Sequence, residues 1–216
     1  MRRLAACLVL ALASCQSAQP VSQPASTGAA VAEKARQEER RQRRAGLEPL
    51  APLTAKGLEV QRVDPMWGLL DYPSVELVRD KSGAVVLHFR YWGHQQQHAV
   101  STSDWDRLAS MAPRAFAAPD PKQYRRALRK VGVCHTWHVV ETNLDGRQLN
   151  EKVSYCLGDV QKAGTDYADA LARLAIESVP MCVQERSESS VERALSKCAA
   201  RFGPPTAEHR LLVEQG

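Results

Sequence analysis

Alternating apolar and polar positions predict a β-hairpin between residues 74 and 92. Val75 and Leu77 alternate with charged residues along the first strand, and residues 80–83 supply the Asp, Ser and Gly that favour a turn. The returning strand places four apolar residues on one face: Val85, Leu87, Phe89 and Tyr91. Residues 93–100 follow as a third strand or a loop.

A second hairpin is predicted over residues 131–157. Residues 143–147 fit a three-residue loop with Gly146 in the left-handed conformation, which sets Asn143 opposite Arg147. The same register sets Cys134 opposite Cys156 at a non-hydrogen-bonded position, where a cross-strand disulfide is plausible. One face then carries Val133, Trp137, Val139, Val153, Tyr155 and Leu157, and the other carries Thr136, His138, Lys152 and Ser154 beside the bridge.

Two short helices are predicted between the hairpins. The first begins at its N-cap Ser103, runs to about Met111 and is broken at Pro113. The second covers residues 122–130, where basic residues surround an apolar pair four residues apart.

Two longer helices are predicted near the C-terminus. Thr165 caps a helix over 166–179, whose core stripe contains Tyr167, Leu171 and Leu174. Residues 190–202 form the last helix, in which Val191, Leu195, Cys198 and Phe202 recur at helical spacing. Cys198 therefore faces inwards, with Cys182 as its predicted disulfide partner.

The N-terminal stretch MRRLAACLVLALASC has the pattern of a secretory signal. Two arginines precede an apolar run of about ten residues, which is too short for a permanent membrane span. Its ending, Leu12-Ala13-Ser14-Cys15, resembles the lipobox of bacterial lipoproteins. That resemblance implies cleavage before Cys15, lipid attachment to its sulfur and, because Gln16 follows, an outer-membrane anchor facing the periplasm.

The remaining cysteines are expected to form two disulfides. Loss of Cys7 with the leader and lipidation of Cys15 leave four cysteines in an oxidising compartment. Four cysteines allow three pairings, and the patterns above favour Cys134 with Cys156 and Cys182 with Cys198. The predicted fold class is α+β: two antiparallel hairpins in one sheet, packed on one face by the C-terminal helices and stapled by two disulfides.

Composition divides the 216 residues into four parts. These are a leader (1–14), a flexible, charged tether (15–50), a single α+β domain (51–205) and a mobile tail (206–216). The formal net charge is +5, but residues 50–216 contain 21 Lys or Arg against 20 Asp or Glu. The domain is therefore nearly neutral, and no nucleic-acid partner is expected.

The histidines are too sparse to predict a metal site. His94 and His98 share one side of a strand or helix, but His135 and His138 point to opposite faces of a strand. No acidic residue with ligand spacing accompanies them, so no metal or cofactor is expected. No nucleophile elbow, phosphate-binding loop or zinc-protease helix is present, and no catalytic residue is assigned.

A candidate partner-binding strip consists of His88, Arg90 and Trp92 near the end of the first hairpin. If the three share an exposed face, they would suit a protein or glycan partner; the alternative is that the aromatic residues pack in the core.

The leading functional hypothesis is a non-enzymatic, lipid-anchored envelope protein that binds another envelope component. An immunity or inhibitor protein against a periplasmic hydrolase is its specific form. The alternatives are an envelope enzyme that acts on peptidoglycan or a related polymer, and a structural envelope lipoprotein. A deep cleft holding His94 or His98 beside acids would favour the enzyme.

Overall fold

The computed structural model describes residues 57–65, 73–132, 134, 138–204 and 206–207. The predicted leader, Cys15, the tether and most of the predicted tail lie outside the described residues, as do Val133 and residues 135–137.

Six strands within the described residues form one antiparallel sheet in the order β4-β3-β2-β1-β5-β6. The strands are β1 (Glu59–Pro65), β2 (Ser74–Arg79), β3 (Val85–Tyr91), β4 (His94–Val100), β5 (His138–Leu144) and β6 (Arg147–Val153). Together with the helices and the two disulfides, this sheet confirms the predicted α+β class. Residues 94–100, which the sequence left as a strand or a loop, form the edge strand β4.

The strand β1 joins the two predicted hairpins into one sheet. It pairs with β2 on one side and with β5 on the other. Val60, Gln61 and Val63 are all buried, so both faces of this strand are covered. A strand covered on both faces has no apolar-polar alternation, and the sequence pattern therefore did not reveal it.

Four helices belong to the described part of the chain. They are α1 (Thr102–Ala115), α2 (Pro121–Val131), α3 (Lys162–Ser178) and α4 (Val191–Ala200). Short 3-10 segments occupy Tyr155–Gln161 and Val183–Glu185.

The predicted limits of α1 are wrong at both ends. Ser101, not Ser103, is the N-cap, and its hydroxyl accepts a hydrogen bond from the Asp104 N–H at 3.1 Å. The helix also continues through Pro113 to Ala115. Buried Ala112 and Ala115 extend its apolar stripe past the proline, so packing outweighs the local preference of that residue.

The predicted start of α3 is also wrong. The helix begins at Lys162, and Thr165 lies within its first turn, where its hydroxyl donates to the Lys162 carbonyl at 3.0 Å instead of capping the helix. Gly164, a residue type with low helix propensity, lies where the helix passes close to Val153.

The register predicted for the second hairpin is wrong by one residue. Leu144 pairs with Arg147, so the turn has two residues, Asp145 and Gly146, at φ values of 50° and 74°. This is the pattern of a type I′ turn, which matches the twist of the flanking strands. As a consequence Val139 and Val153 lie on opposite faces, and His138 shares the face of Val153.

Both predicted disulfides are confirmed. The Cα–Cα distance is 6.0 Å for Cys134–Cys156 and 4.7 Å for Cys182–Cys198. Cys156 lies in a 3-10 segment beyond the end of β6, so this pairing is correct although the cross-strand position used to predict it is not.

The helices α1 and α3 pack on one face of the sheet, here called the helix face. Gln61 marks this face because its side chain donates to the Trp105 carbonyl of α1 at 3.3 Å and accepts from the Tyr167 hydroxyl of α3 at 2.9 Å. The core lies between this face and the two helices. Its largest apolar side chains are Trp105, Tyr167, Phe89, Leu77, Leu87, Leu108 and Leu171.

Candidate functional site

A groove of about 390 Å³ lies on the helix face, between α1 and the turn end of the β5–β6 hairpin; it is called the hairpin groove below. Residues from both elements supply its apolar lining: Trp105, Ala109, Ala112, Pro113, Phe116, Leu144 and Leu149. Its charged lining consists of Glu59, Arg79, Asp106, Asp145 and Arg147.

Strand and helix periodicity explain why the floor of the hairpin groove is apolar. Leu144 and Leu149 alternate with polar residues and point to the helix face of β5 and β6. Ala109 and Phe116 flank the buried stripe of α1. All four side chains are only partly buried, so solvent still reaches part of the apolar lining.

A chain of ion pairs forms one wall of the hairpin groove. The Arg79 Nε donates to Glu59 Oε2 at 2.6 Å, and its Nη1 lies 3.4 Å from Asp106 Oδ1. The same guanidinium lies over the Trp105 ring, 4.8 Å from its centroid. Arg79 is therefore held by two carboxylates and an aromatic face, which fixes the position of this wall.

The turn of the β5–β6 hairpin forms the opposite rim. Glu59 Oε1 accepts a hydrogen bond from the Asp145 N–H at 3.0 Å, which ties the turn to β1. Asp145 and Arg147 are both exposed, and neither forms an ion pair with another described residue. These two charges are thus the ones a partner could pair with at the rim.

Buried polar contacts hold the base of the hairpin groove. Gln61 links α1 to α3 through the two hydrogen bonds given above, and burial raises the pKa of the Tyr167 hydroxyl, which keeps it a hydrogen-bond donor. Trp105 is fully buried, and its Nε1 has no hydrogen-bond acceptor among the described residues.

A second polar cluster lies on the opposite face of the sheet and is called the ion-pair network below. The Arg62 Nε donates to Glu141 Oε2 at 2.5 Å, and its Nη1 lies 3.4 Å from Glu76 Oε2. Asp64 Oδ2 lies 3.7 Å from the Arg62 Nε, and Arg90 Nη2 lies 3.6 Å from Glu76 Oε1. Neighbouring strands place these residues side by side, because Arg62 pairs with both Glu76 and Glu141 in the register.

The ion-pair network is mostly shielded from solvent. The side chains of Arg62 and Glu76 are 12% and 2% exposed. Burial raises the pKa of the Asp64 carboxyl. Burial lowers the pKa of Arg62, but the neighbouring carboxylates, Glu141 foremost, raise it by more, so the guanidinium stays charged. The attraction between the opposite charges offsets the cost of removing them from water. The network is therefore explained by its structural role within the sheet.

The three residues of the predicted partner-binding strip lie near the end of β3 and in the turn that follows. His88 and Arg90 project from the opposite face of the sheet, and Arg90 is only 7% exposed because it faces Glu76 in the ion-pair network. Trp92 lies in the β3–β4 turn, at a φ of 47°, and stacks on Tyr91 with 4.8 Å between the ring centroids. The structure thus places Arg90 in an ion pair and Trp92 against an aromatic neighbour.

The described contacts of His94 and His98 involve no carboxylate. The His94 Nε2 lies 3.0 Å from the Pro204 carbonyl oxygen, and the His98 Nε2 lies 3.1 Å from the Gln96 side-chain oxygen. His138 is buried, and its ring and that of Tyr155 form an edge-to-face contact; His135 is outside the described residues. Among the described residues, no group of three or more metal-ligating side chains comes together.

Sequence reasoning missed the residues of the hairpin groove. Glu59, Arg79, Asp106 and Arg147 come from four separate parts of the chain, and only the sheet order brings them together. The one local signal is α1, whose partly buried Ala109 and Phe116 lie beside its fully buried stripe.

The fold and these sites define a disulfide-stapled α+β domain with an amphipathic groove at one end of its helix face. No helix in the described part of the chain combines the length and the apolar character that a membrane span requires. Comparison of this chain with protein-family models, with curated proteins and with solved structures finds no match.

Proposed function

We propose that this protein is a lipid-anchored protein of the bacterial cell envelope whose domain binds another envelope protein through the hairpin groove. The location rests on the leader and on the lipobox ending at Cys15. The binding role rests on the hairpin groove. An inhibitor or immunity protein against a periplasmic hydrolase is the narrower form of this proposal.

The observation that carries the binding role is the combination of an apolar floor and a charged rim. Four apolar lining residues are partly exposed, namely Ala109, Phe116, Leu144 and Leu149, and the lining also contains five charged residues. Protein interfaces have the same arrangement, with an apolar anchor in a central pocket and polar contacts around it. A volume of about 390 Å³ is large enough to hold one or two apolar side chains of a partner.

The charges of the rim indicate what kind of segment would fit. Glu59 and Asp106 both pair with Arg79, whereas Asp145 and Arg147 have no ion-pair partner among the described residues. We therefore expect the partner to insert an apolar side chain that is flanked by charges of both signs.

Site-specific photo-crosslinking in intact cells tests this proposal. A photoreactive residue replaces Arg147 at the rim of the hairpin groove, and in a separate variant it replaces Arg193 on α4, which does not line the groove. We expect one crosslinked envelope protein from position 147 and none from position 193.

A second substitution shows whether the crosslink depends on the groove. Ala109→Arg places a long side chain in the groove from a partly exposed position of α1 and should abolish the crosslink. Ala200→Arg, on the exposed side of α4, is the matched control and should leave the crosslink intact. The absence of a crosslink at position 147, or a crosslink that survives Ala109→Arg, would contradict the proposal.

A further inference from the structure

The helix α2 concentrates positive charge on a domain that is otherwise acidic. It contains five basic residues, all exposed, and no acidic residue: Lys122, Arg125, Arg126, Arg129 and Lys130. Residues 50–216 have 21 basic and 20 acidic residues, so removal of these five leaves 16 against 20. Residues 50–216 therefore have a near-neutral net charge although one of their helices is strongly basic.

The charge of this helix is not neutralised within the described part of the chain. None of the five basic residues forms an ion pair with a described carboxylate. Arg125 and Arg129 donate their Nε–H groups to carbonyls one turn earlier in the same helix, at 3.2 and 3.4 Å. Such contacts orient the side chains but leave the positive charge uncompensated.

The basic residues occupy one continuous side of α2. At about 100° per residue they span an arc of roughly 140°, here called the basic arc. The other side of the helix carries the partly buried side chains and packs against the 3-10 segment Tyr155–Gln161. These side chains are Tyr124, Ala127, Leu128 and Val131. The helix is therefore amphipathic, with its apolar side on the domain and the basic arc facing solvent.

Both ends of α2 are fixed. At the N-terminus, the Asp120 Oδ1 accepts hydrogen bonds from the N–H groups of Lys122 and Gln123, both at 2.8 Å. Beyond the C-terminus, Cys134 is joined to Cys156 in the 3-10 segment against which the helix packs. The basic arc is thus presented on a rigid support instead of a fraying helix.

From this arrangement we infer that α2 lays the basic arc on the surface of an anionic phospholipid bilayer. An exposed row of uncompensated cations is complementary to anionic headgroups, and each surface cation raises membrane binding roughly fivefold. The inference deepens the proposed function, because a lipid anchor at Cys15 would keep α2 close to such a surface. It assigns one face of the domain to the membrane and leaves the hairpin groove for the protein partner.

Vesicle binding by the full chain carrying Cys15→Ser, purified with its disulfides intact, tests the inference without lipidation. The probes are phosphatidylcholine vesicles with and without phosphatidylglycerol. The test variant is Lys122→Gln/Arg126→Gln/Lys130→Gln, which removes one row of the basic arc and leaves the two arginines that bond to the helix backbone. The matched control, Lys81→Gln/Lys152→Gln/Arg193→Gln, removes two lysines and one arginine from exposed positions outside α2.

The variants share the same N-terminal stretch, so differences between them report on the substituted cations. We expect the α2 variant to lose roughly 100-fold in binding to the anionic vesicles at low salt, and the control to lose no more than about threefold. Binding of the unsubstituted chain to the anionic vesicles should also weaken strongly at about 0.5 M salt. Circular dichroism checks that both variants remain folded.

Three results would overturn the inference: equal losses in the two variants, no preference for anionic vesicles, or binding of the basic arc to DNA but not to vesicles. The vesicle result does not depend on whether cells acylate Cys15. It therefore tests the basic arc separately from the proposed lipid anchor.

Discussion

At the scale of single residues, His138 makes folding depend on pH. The side chain is buried at the start of β5, and burial lowers its pKa from 6.5 to about 4. As the pH falls below 6.5, His138 becomes protonated in the unfolded chain but stays neutral in the folded chain until the pH approaches 4. The free energy of unfolding should therefore decrease by about 2 kcal/mol from this residue between pH 7 and pH 5.

Urea denaturation of His138→Phe at pH 7 and pH 5 tests this prediction. Phenylalanine keeps an aromatic ring against Tyr155 but cannot be protonated, so the variant should lose about 2 kcal/mol less on acidification than the unsubstituted chain. His98→Phe on β4 is the matched control. The prediction fails if the two variants respond to acid in the same way.

A second residue-scale prediction concerns Gly164. A Cβ atom at this position would lie 2.5 Å from the Val153 Cγ1. Gly164→Ala raises helix propensity by about 1 kcal/mol, but overpacking against Val153 costs about 2 kcal/mol. We therefore expect the free energy of unfolding, measured by heat or urea, to fall by about 1 kcal/mol. In a Val153→Ala background the obstructing methyl group is absent, and the same substitution should become neutral or stabilising. An equal loss in both backgrounds would show that the close approach is not the cause.

Residue-scale patterns predicted burial well where a strand has one apolar face. Val85, Leu87 and Phe89 are buried as their alternation indicates. The burial of Arg90 could not be predicted in this way, because the sequence pattern places an arginine at the surface unless its ion-pair partner is known. The partner, Glu76, lies on the neighbouring strand, and only the strand register places it beside Arg90.

At the scale of elements, the ion-pair network connects four neighbouring strands, β3, β2, β1 and β5. Arg62→Met leaves Glu141, Glu76 and Asp64 with less positive charge in a shielded site, and we expect a loss of about 3–5 kcal/mol in the free energy of unfolding. The measurement is urea denaturation at neutral pH.

An exposed ion pair supplies the control for Arg62. Lys162 and Asp166 pair at 2.7 Å on α3 with both side chains about half exposed or more, so Lys162→Met should cost far less stability than Arg62→Met. If the two substitutions cost the same, the network is not the stabilising feature described above.

Element boundaries were less predictable than the elements themselves. The sequence Asn143-Leu144-Asp145-Gly146-Arg147 suits both a two-residue and a three-residue turn, and Gly146 adopts a positive φ in either. Packing against the helices decides between them, because only the two-residue turn places Val140 and Val153 on the same buried face of the hairpin. Local turn chemistry alone does not contain that information.

At the scale of the whole molecule, the fold class and both disulfides could be predicted, and the hairpin groove could not. Hairpins, helices and cysteine spacing are features of short stretches of sequence. The hairpin groove instead depends on where α1 crosses the sheet and on β1 lying between the two hairpins. Neither follows from local periodicity.

The proposed location joins the two surfaces into one arrangement. A lipid on Cys15 and the basic arc of α2 would both hold the domain at a membrane, while the hairpin groove would bind a protein partner. The disulfides fit this location, because paired cysteines persist in the envelope and not in a reducing cytoplasm.

Peptide mapping by mass spectrometry, without reduction, of the protein taken from the envelope fraction tests the central claim most directly. The account predicts an N-terminal peptide that begins at Cys15 and carries acyl chains, together with bridged peptides that join Cys134 to Cys156 and Cys182 to Cys198. A chain that retains residues 1–14, carries no lipid on Cys15 and has free thiols at Cys134, Cys156, Cys182 and Cys198 would contradict it.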